Sequence, residues 1–251
     1  MVTLIMKLKA KKSKLERSFS AAVCIVSGGI DSLCTSAYLK KKKFDLYIIT
    51  FSYGQRSNLE IEYAKKFAKY LDSKQHKIVD ISFMKDIYGE TNVLTDNKQK
   101  IPKNFEYNII APIRNAIFIT IATAWAMNIG AKIIAYGAHS GDNNYPDCRP
   151  EFTRLISKTL NLGDIDGIRL GLRKKISVWS PAIDGLDKSE LIRIGYEIIG
   201  DKIFETWSCY SNGIDTKDGK KIHCGICESC INRRRAFKKV SIDDKTEYAN
   251  Q

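Results

Sequence analysis

Six consecutive residues, Ser27-Gly28-Gly29-Ile30-Asp31-Ser32, have the composition of an anion cradle. The two glycines carry no Cβ to hold an anion off the backbone, and they let N–H groups turn outward. Ser32 can donate its hydroxyl to a phosphate oxygen, and Asp31 can hold a Mg2+ riding on the phosphates. No lysine closes the run, so it differs from the G-x-x-x-x-G-K-[ST] loop. In isolation the same residues could serve as a helix cap.

A second group lies near the other end of the chain: Cys209, then Cys224, Cys227 and Cys230. Two-residue spacings let neighbouring sulfurs bend onto one ion. Four thiolates close a tetrahedral shell around Zn2+ and leave no position for water, so such an ion would be structural. Four cysteines also suit an iron–sulfur cluster, and the spacing leaves both open. His223 is expected behind the ligands rather than among them. Cys24, Cys34 and Cys148 are scattered, and Cys148 has no evident base to make it a nucleophile. The apolar start Val2–Met6 is too short for a secretory core and is followed by lysines, so a reducing, cytoplasmic setting is expected.

Three further stretches carry polar chemistry. Tyr53-Gly54-Gln55-Arg56 offers an amide and a guanidinium fork suited to phosphate or carboxylate, although a plain turn with a surface arginine would read the same. Ala111-Pro112-Ile113-Arg114-Asn115 opens a helix with proline where its missing N–H costs nothing. Arg114 there sits at the positive end of the helix dipole, which a nearby anion would explain. The run from Gly137 to Phe152 gathers Asp142, Asn143, Asn144, Tyr145, Asp147 and Arg149, with Pro146 and Pro150 limiting its freedom. Such groups could hydrogen-bond a flat heterocycle. Arg233-Arg234-Arg235 with Lys238 and Lys239 is expected as an exposed cationic helix.

These residues need a scaffold, and the apolar pattern supplies one. Ala21–Val26 and Leu46–Phe51 read as buried strands, and His76–Ile81, Lys132–Tyr136 and Ile176–Trp179 as three further strands. Helices are expected over Asp31–Lys42, Asn58–Leu71, Ile113–Ile129 and Lys188–Ile199, the third apolar almost all round and therefore buried. Strands alternating with helices predict a doubly wound α/β fold with a parallel sheet. The cradle and the Gln55 and Tyr145 stretches then all follow strands, at the carboxyl edge where such sheets bind ligands. Met84–Asn108 is polar and reads as a mobile loop or lid. The expected division is a basic extension over 1–19, an α/β domain over 20–200, a cysteine segment over 201–238 and a tail over 239–251.

The chain has 251 residues, enough to bury a sizeable core, and 44% hydrophobic against 27% charged residues suits a soluble globular protein. A net charge of +13 favours anionic ligands, with a solvated lysine surface as the plainer account. No apolar run is expected to approach a membrane-spanning length of roughly 20 residues.

S-G-G-I-D-S resembles the pyrophosphate loop of the N-type ATP pyrophosphatases, of the adenine nucleotide alpha hydrolase-like fold, which split ATP between its α- and β-phosphates. Tyr145-Pro146-Asp147-Cys148-Arg149-Pro150-Glu151-Phe152, with Tyr53-Gly54-Gln55-Arg56, Pro112-Ile113-Arg114-Asn115 and the four late cysteines, narrows this. Together they resemble the 7-cyano-7-deazaguanine synthase family of the queuosine and archaeosine pathways, from about Ala21 to Phe237. The likeness departs at Asn143-Asn144, where that family usually carries serine–glycine.

The resemblance implies an ATP-dependent ligase acting on 7-carboxy-7-deazaguanine and ammonia, with Mg2+, a four-cysteine Zn2+ site and a homodimer. It assigns Ser27, Gly28, Gly29, Ile30, Asp31, Ser32 and Ser52 to the nucleotide, with Asp31, Ser32 and Arg114 catalytic. Gln55, Arg56, Arg114, Asn115, Tyr145, Asp147 and Arg149 would contact substrate. Neither a membrane nor direct nucleic-acid binding is expected. The alternatives are a tRNA-thiolating pyrophosphatase, a defence-type enzyme coupling a deazaguanine to protein, and a non-enzymatic, zinc-bearing RNA-binding module.

Overall fold

The computed structural model describes residues 21–250; Val2–Met6 and the expected extension over 1–19 lie outside them. Strands β1 (Ala21–Ile25), β2 (Asp45–Ser52) and β3 (Gln75–Asp80) alternate with helices α1 (Ile30–Lys41) and α2 (Leu59–Tyr70). Strands β4 (Ile133–Ala135) and β5 (Ser177–Trp179) complete a five-stranded sheet in the order β3-β2-β1-β4-β5, every pair parallel. Ala22 of β1 stands between Leu46 and Ile133. The winding reverses between β1 and β4, so a crevice opens at their carboxyl ends.

Alternation along β1 divides the core. Ala22 and Cys24 face a layer holding Leu33, Phe67 and Leu191, from α1, α2 and α7 (Lys188–Ile199). Ala21 and Val23 face the opposite layer, with Ile119, Ala122 and Ala126 of α4 (Arg114–Ile129). The expected doubly wound architecture is therefore present. Helices α1 and α7 approach so closely that a Cβ on Gly195 would collide with the Cys34 sulfur. That approach brings the start of α7 to the start of α1.

Several expectations need correction. The stretch Tyr107–Ile129 is long and apolar enough to cross a bilayer by composition, against the expectation of none. Yet Ile119, Ala122 and Ala126 are fully buried on the sheet. Nor is α4 buried all round, for Thr120, Ala124 and Asn128 face outward. It begins at Arg114 because Ile113 adopts a left-handed backbone, φ 52°. The segment expected as a loop contains α3 (Met84–Tyr88) and buries Val93 and Leu94. Its polar composition conceals these few anchors. Helix α5 (Pro150–Gly163), unread in the sequence, packs Phe152, Ile156 and Leu160 against the sheet layer, and a short α6 (Ile165–Arg169) follows.

Beyond α7 the chain forms a small hairpin, β6 (Ile214–Asp215) with β7 (Lys221–Ile222), and then α8 (Glu228–Lys239). The expected tail folds back on this piece: Ala249 N donates to the His223 carbonyl at 2.8 Å, and Asn250 Nδ2 to that of Cys224 at 2.8 Å. Arg233, expected on an exposed face, is fully buried. Its planar fork donates to the hydroxyls of Thr206 at 2.6 Å, Ser208 at 3.1 Å and Thr246 at 2.8 Å, which is what makes a buried guanidinium tolerable.

Candidate active site

The cradle turns on Gly28, whose φ of +89° lies in the left-handed region and whose missing Cβ avoids the Glu60 carbonyl. Gly29 precedes α1 without any side-chain cap, so first-turn N–H groups and the positive dipole end are left facing the crevice. Ser32 Oγ donates to the Gly29 carbonyl at 3.0 Å and lies 3.3 Å from Ser27 N. Gly137, just after β4, crosses this helix start: a Cβ there would sit 2.7 Å from Ser32 N and 2.9 Å from the Asp31 carbonyl carbon.

The crevice is a cavity of about 670 Å³, within the size range of small-molecule sites. Ser27, Gly29, Ile30, Asp31 and Ser32 line one end. Asp31 Oδ2 accepts from Lys188 Nζ at 2.7 Å, while its buried Oδ1 has no partner. Burial would raise the Asp31 carboxyl, but Lys188 and His139 outweigh it and hold the group below the ordinary carboxylate range. Lys188 opens α7 directly behind an Asp187–Glu190 capping box, which fixes its position. His139 Nε2 stands 3.9 Å from Asp31 Oδ1 and 3.4 Å from Asp142 Oδ1.

Arg114 is aimed into the same cavity. Its Nη1 donates to the Tyr53 hydroxyl at 3.0 Å, and its buried Nε has no partner. Burial disfavours its charge, but Tyr53 and Asp147 more than restore it. Asn115 and Tyr145 also line the cavity. So does Glu60, whose carboxyl burial pushes up to about 7.

Other expected contacts are spent elsewhere. Asp147 accepts from Asn115 N at 2.9 Å and Asn115 Nδ2 at 3.1 Å, so it caps the start of α4 instead of reaching the cavity. Arg149 Nε donates to the Asn143 carbonyl at 2.9 Å, within its own loop. Gln55 touches the cavity, but its amide closes the turn between Phe51 and Tyr53. Arg56 also lines the cavity, while donating to the carbonyls of Gln99 at 2.8 Å, Val93 at 3.3 Å and Asn97 at 3.4 Å, which tethers the 84–108 segment. Ser52 stops one residue short of the cavity wall, which begins at Tyr53. Burial raises the Cys148 thiol well above its usual value, which suits no nucleophile.

Sequence reasoning missed Lys188, Gly137, Tyr210 and Glu228, all of which bear on this cavity. Lys188 lies 157 residues from Asp31, so no local pattern could pair them; only its capping-box neighbours leave a trace.

The four late cysteines converge, with all four sulfurs within 4.8 Å of one another and buried. Cys224 and Cys230 sulfurs are 3.9 Å apart. Four thiolates at about 2.3 Å from one tetrahedral ion would stand about 3.8 Å apart, so the set fits a single ion. An iron–sulfur cluster interposes several atoms and would hold them wider. Hydrogen bonds from Cys209, Cys227 and Cys230 hold Cys224 far below the usual thiol range. His223 is not a ligand: its Nε2 accepts from Ser208 N at 3.0 Å. Trp207 N donates to the Gly28 carbonyl at 3.0 Å, joining this module to the cradle.

Comparison with known proteins follows the same lines. Residues 21–241 match the family described as queuosine biosynthesis protein QueC. A 7-cyano-7-deazaguanine synthase of Caldicellulosiruptor bescii is 36% identical over 90% of this chain and 96% of its own length. Those of Rickettsia canadensis and Saccharophagus degradans are 37% and 34% identical, over 90% and 91% of this chain and 98% of each relative. Among solved structures, a predicted subunit of tRNA methyltransferase from Methanocaldococcus jannaschii covers 70% of this chain and 75% of its own. It does so at 18% identity and a TM-score of 0.44, too loose a likeness to carry an argument.

Proposed function

The chain belongs to the QueC family of queuosine biosynthesis proteins, and we propose that its cavity converts 7-carboxy-7-deazaguanine, ammonia and ATP into 7-cyano-7-deazaguanine. A carboxylate is inert to ammonia because its leaving group would be oxide. Attack of a carboxylate oxygen on the α-phosphorus expels pyrophosphate and leaves an acyl-adenylate. Ammonia then adds at the acyl carbon, AMP departs, and a proton is released, giving the amide. The amide oxygen attacks a second ATP in the same way. AMP then leaves with that oxygen, the nitrogen gives up both protons, and a nitrile remains.

One observation carries the reading: Asp31 and Lys188 face each other across the uncapped start of α1, at the point where the sheet reverses. The N–H groups of the first turn, with Ser27 and Ser32, would bind the phosphates, and Lys188 would offset their charge. The unpartnered Oδ1 of Asp31 suits Mg2+, which would neutralise phosphate charge when bound. Arg114, its Nε free, would face the α-phosphate or the substrate carboxylate. Asn115 and Tyr145 would position the substrate. The closed four-thiolate shell suits Zn2+ in a structural role. Against a thiolating enzyme stands Cys148, held as a thiol, together with a cysteine set spent on one ion.

The test is direct. Purified protein with ATP, ammonia and 7-carboxy-7-deazaguanine should yield the nitrile by mass spectrometry, with two AMP per nitrile. AMP release only with tRNA would overturn the reading. A cytoplasmic homodimer fits the family likeness, and the exposed Leu155, Leu162, Leu170 and Leu172 offer apolar surface for a second copy. Light scattering should give twice the chain mass, and Leu162→Glu should halve it.

A further inference from the structure

Two parts of the cavity differ in what they lack. At the cradle end each acidic group has a basic side chain nearby: Asp31 has Lys188, Asp142 has His139, and Glu60 feels Arg114. Elsewhere in the lining Glu228 is only 8% exposed and has no ion pair among the described residues. Lys188, whose charge it feels, is already bonded to Asp31 at 2.7 Å. Burying a carboxylate in this way is costly unless donors compensate it.

The surroundings of Glu228 say what those donors belong to. Asn232 Nδ2 donates to Oε1, and Tyr210 and Tyr145 line the same cavity as the carboxylate. Tyr145 packs edge-on against Phe105, ring centres 5.5 Å apart, and all three rings line the cavity. The Glu228 backbone N–H donates to the Pro102 carbonyl at 3.1 Å, which holds the Phe105 segment to the start of α8. A carboxylate among aromatic walls suits a flat ring bearing two adjacent N–H donors on one edge. Such an edge meets both oxygens at once, as a guanidinium does.

We infer that Glu228 is the specificity-determining residue that reads the ring N–H and 2-amino edge of the deazaguanine. The inference rests on the proposed reaction and deepens it. In a 7-carboxy-7-deazaguanine that edge and the carboxyl group lie at opposite ends of the bicycle. A ring gripped at Glu228 therefore directs its carboxylate toward Asp31, Ser32 and the nucleotide. An adenine-like ring would set a bare ring nitrogen against the carboxylate and be repelled. A ring without the 2-amino group would leave one oxygen without its donor.

The experiment compares kcat/KM for 7-carboxy-7-deazaguanine and for its 2-desamino analogue in wild type, Glu228→Gln and Glu228→Asp. Wild type should prefer the 2-amino substrate by about 100-fold or more. Glu228→Gln should reduce that preference to roughly fivefold or less through a raised KM for the acid, with KM for ATP and zinc content unchanged. Glu228→Asp keeps the charge and should keep the preference, with weaker binding. It also serves as the control if the glutamine variant loses its metal. An active wild type alongside a glutamine variant that keeps the full preference would overturn this inference alone. A wild type inert toward the 2-amino acid would overturn the proposed reaction, and this assignment with it.

Discussion

Two parts of the cavity are built from different materials. The cradle is mostly backbone: a left-handed glycine, an uncapped helix start, and a second glycine crossing it at 2.7 Å. The wall around Glu228 is almost all side chain, with Phe105, Tyr145, Tyr210 and Glu228 drawn from four separate stretches. A phosphate is the same in every nucleotide, so a fixed backbone nest suits it whatever the base. A heterocycle is particular, and only side chains carry enough variety to distinguish one from another.

If that contrast holds, damage to the two parts should differ in kind. The largest effect expected is Asp31→Ala. It should cut AMP release by about 10³-fold or more, while circular dichroism and zinc content match wild type. Retained turnover would remove the cradle from the chemistry. Next comes Cys230→Ser, which opens the four-sulfur shell. Since binding of a structural ion is largely folding free energy, this variant should lose zinc and show an early calorimetric transition while the sheet persists. A single unshifted transition would mean that the module does not depend on its ion.

Gly137→Ala tests the backbone character of the cradle. The added methyl must displace the start of α1, so kcat/KM for ATP should fall roughly 10- to 100-fold with little change in KM for the acid. Equal losses for both substrates would blur the distinction between the two parts. The smallest effect is a shift in pH. Lys188 and His139 hold Asp31 below the ordinary range, so its ionised form, and the stability that form brings, persist until the pH falls through that lowered value. In Lys188→Met, burial acts with one cation fewer, so the acid limb of the rate profile should move to higher pH. The readout is where the limb lies, whatever its height. An unmoved limb would show that Lys188 does not set the Asp31 charge.

The same contrast explains what could be read beforehand. Strand periodicity placed all five strands of the sheet within a residue or two, and S-G-G-I-D-S announced itself because its members touch along the chain. The cysteines were equally plain, since three lie within seven residues. Asp147 and Arg149 looked like ligands because a polar run gives no hint that one carboxylate will cap a helix start and one guanidinium will close its own loop. Arg56 does line the cavity, but its guanidinium is bonded to carbonyls of the 84–108 segment that had been expected to move. Helix α5 carried a legible spacing in Phe152, Ile156 and Leu160 but was masked by the loop before it. Glu228 left nothing to read, and Lys188 only its capping-box neighbours, because their partners are residues that folding alone brings near.

Trp207 N reaches back to the Gly28 carbonyl, and Tyr210 and Glu228 supply a wall to a crevice that β1 begins. During synthesis β1 must therefore wait for α8, the last of the described helices, before its pocket exists. Under the proposed reaction, a nascent or C-terminally clipped chain would own the entire nucleotide loop and still lack the Tyr210 and Glu228 wall against which the acid is to sit.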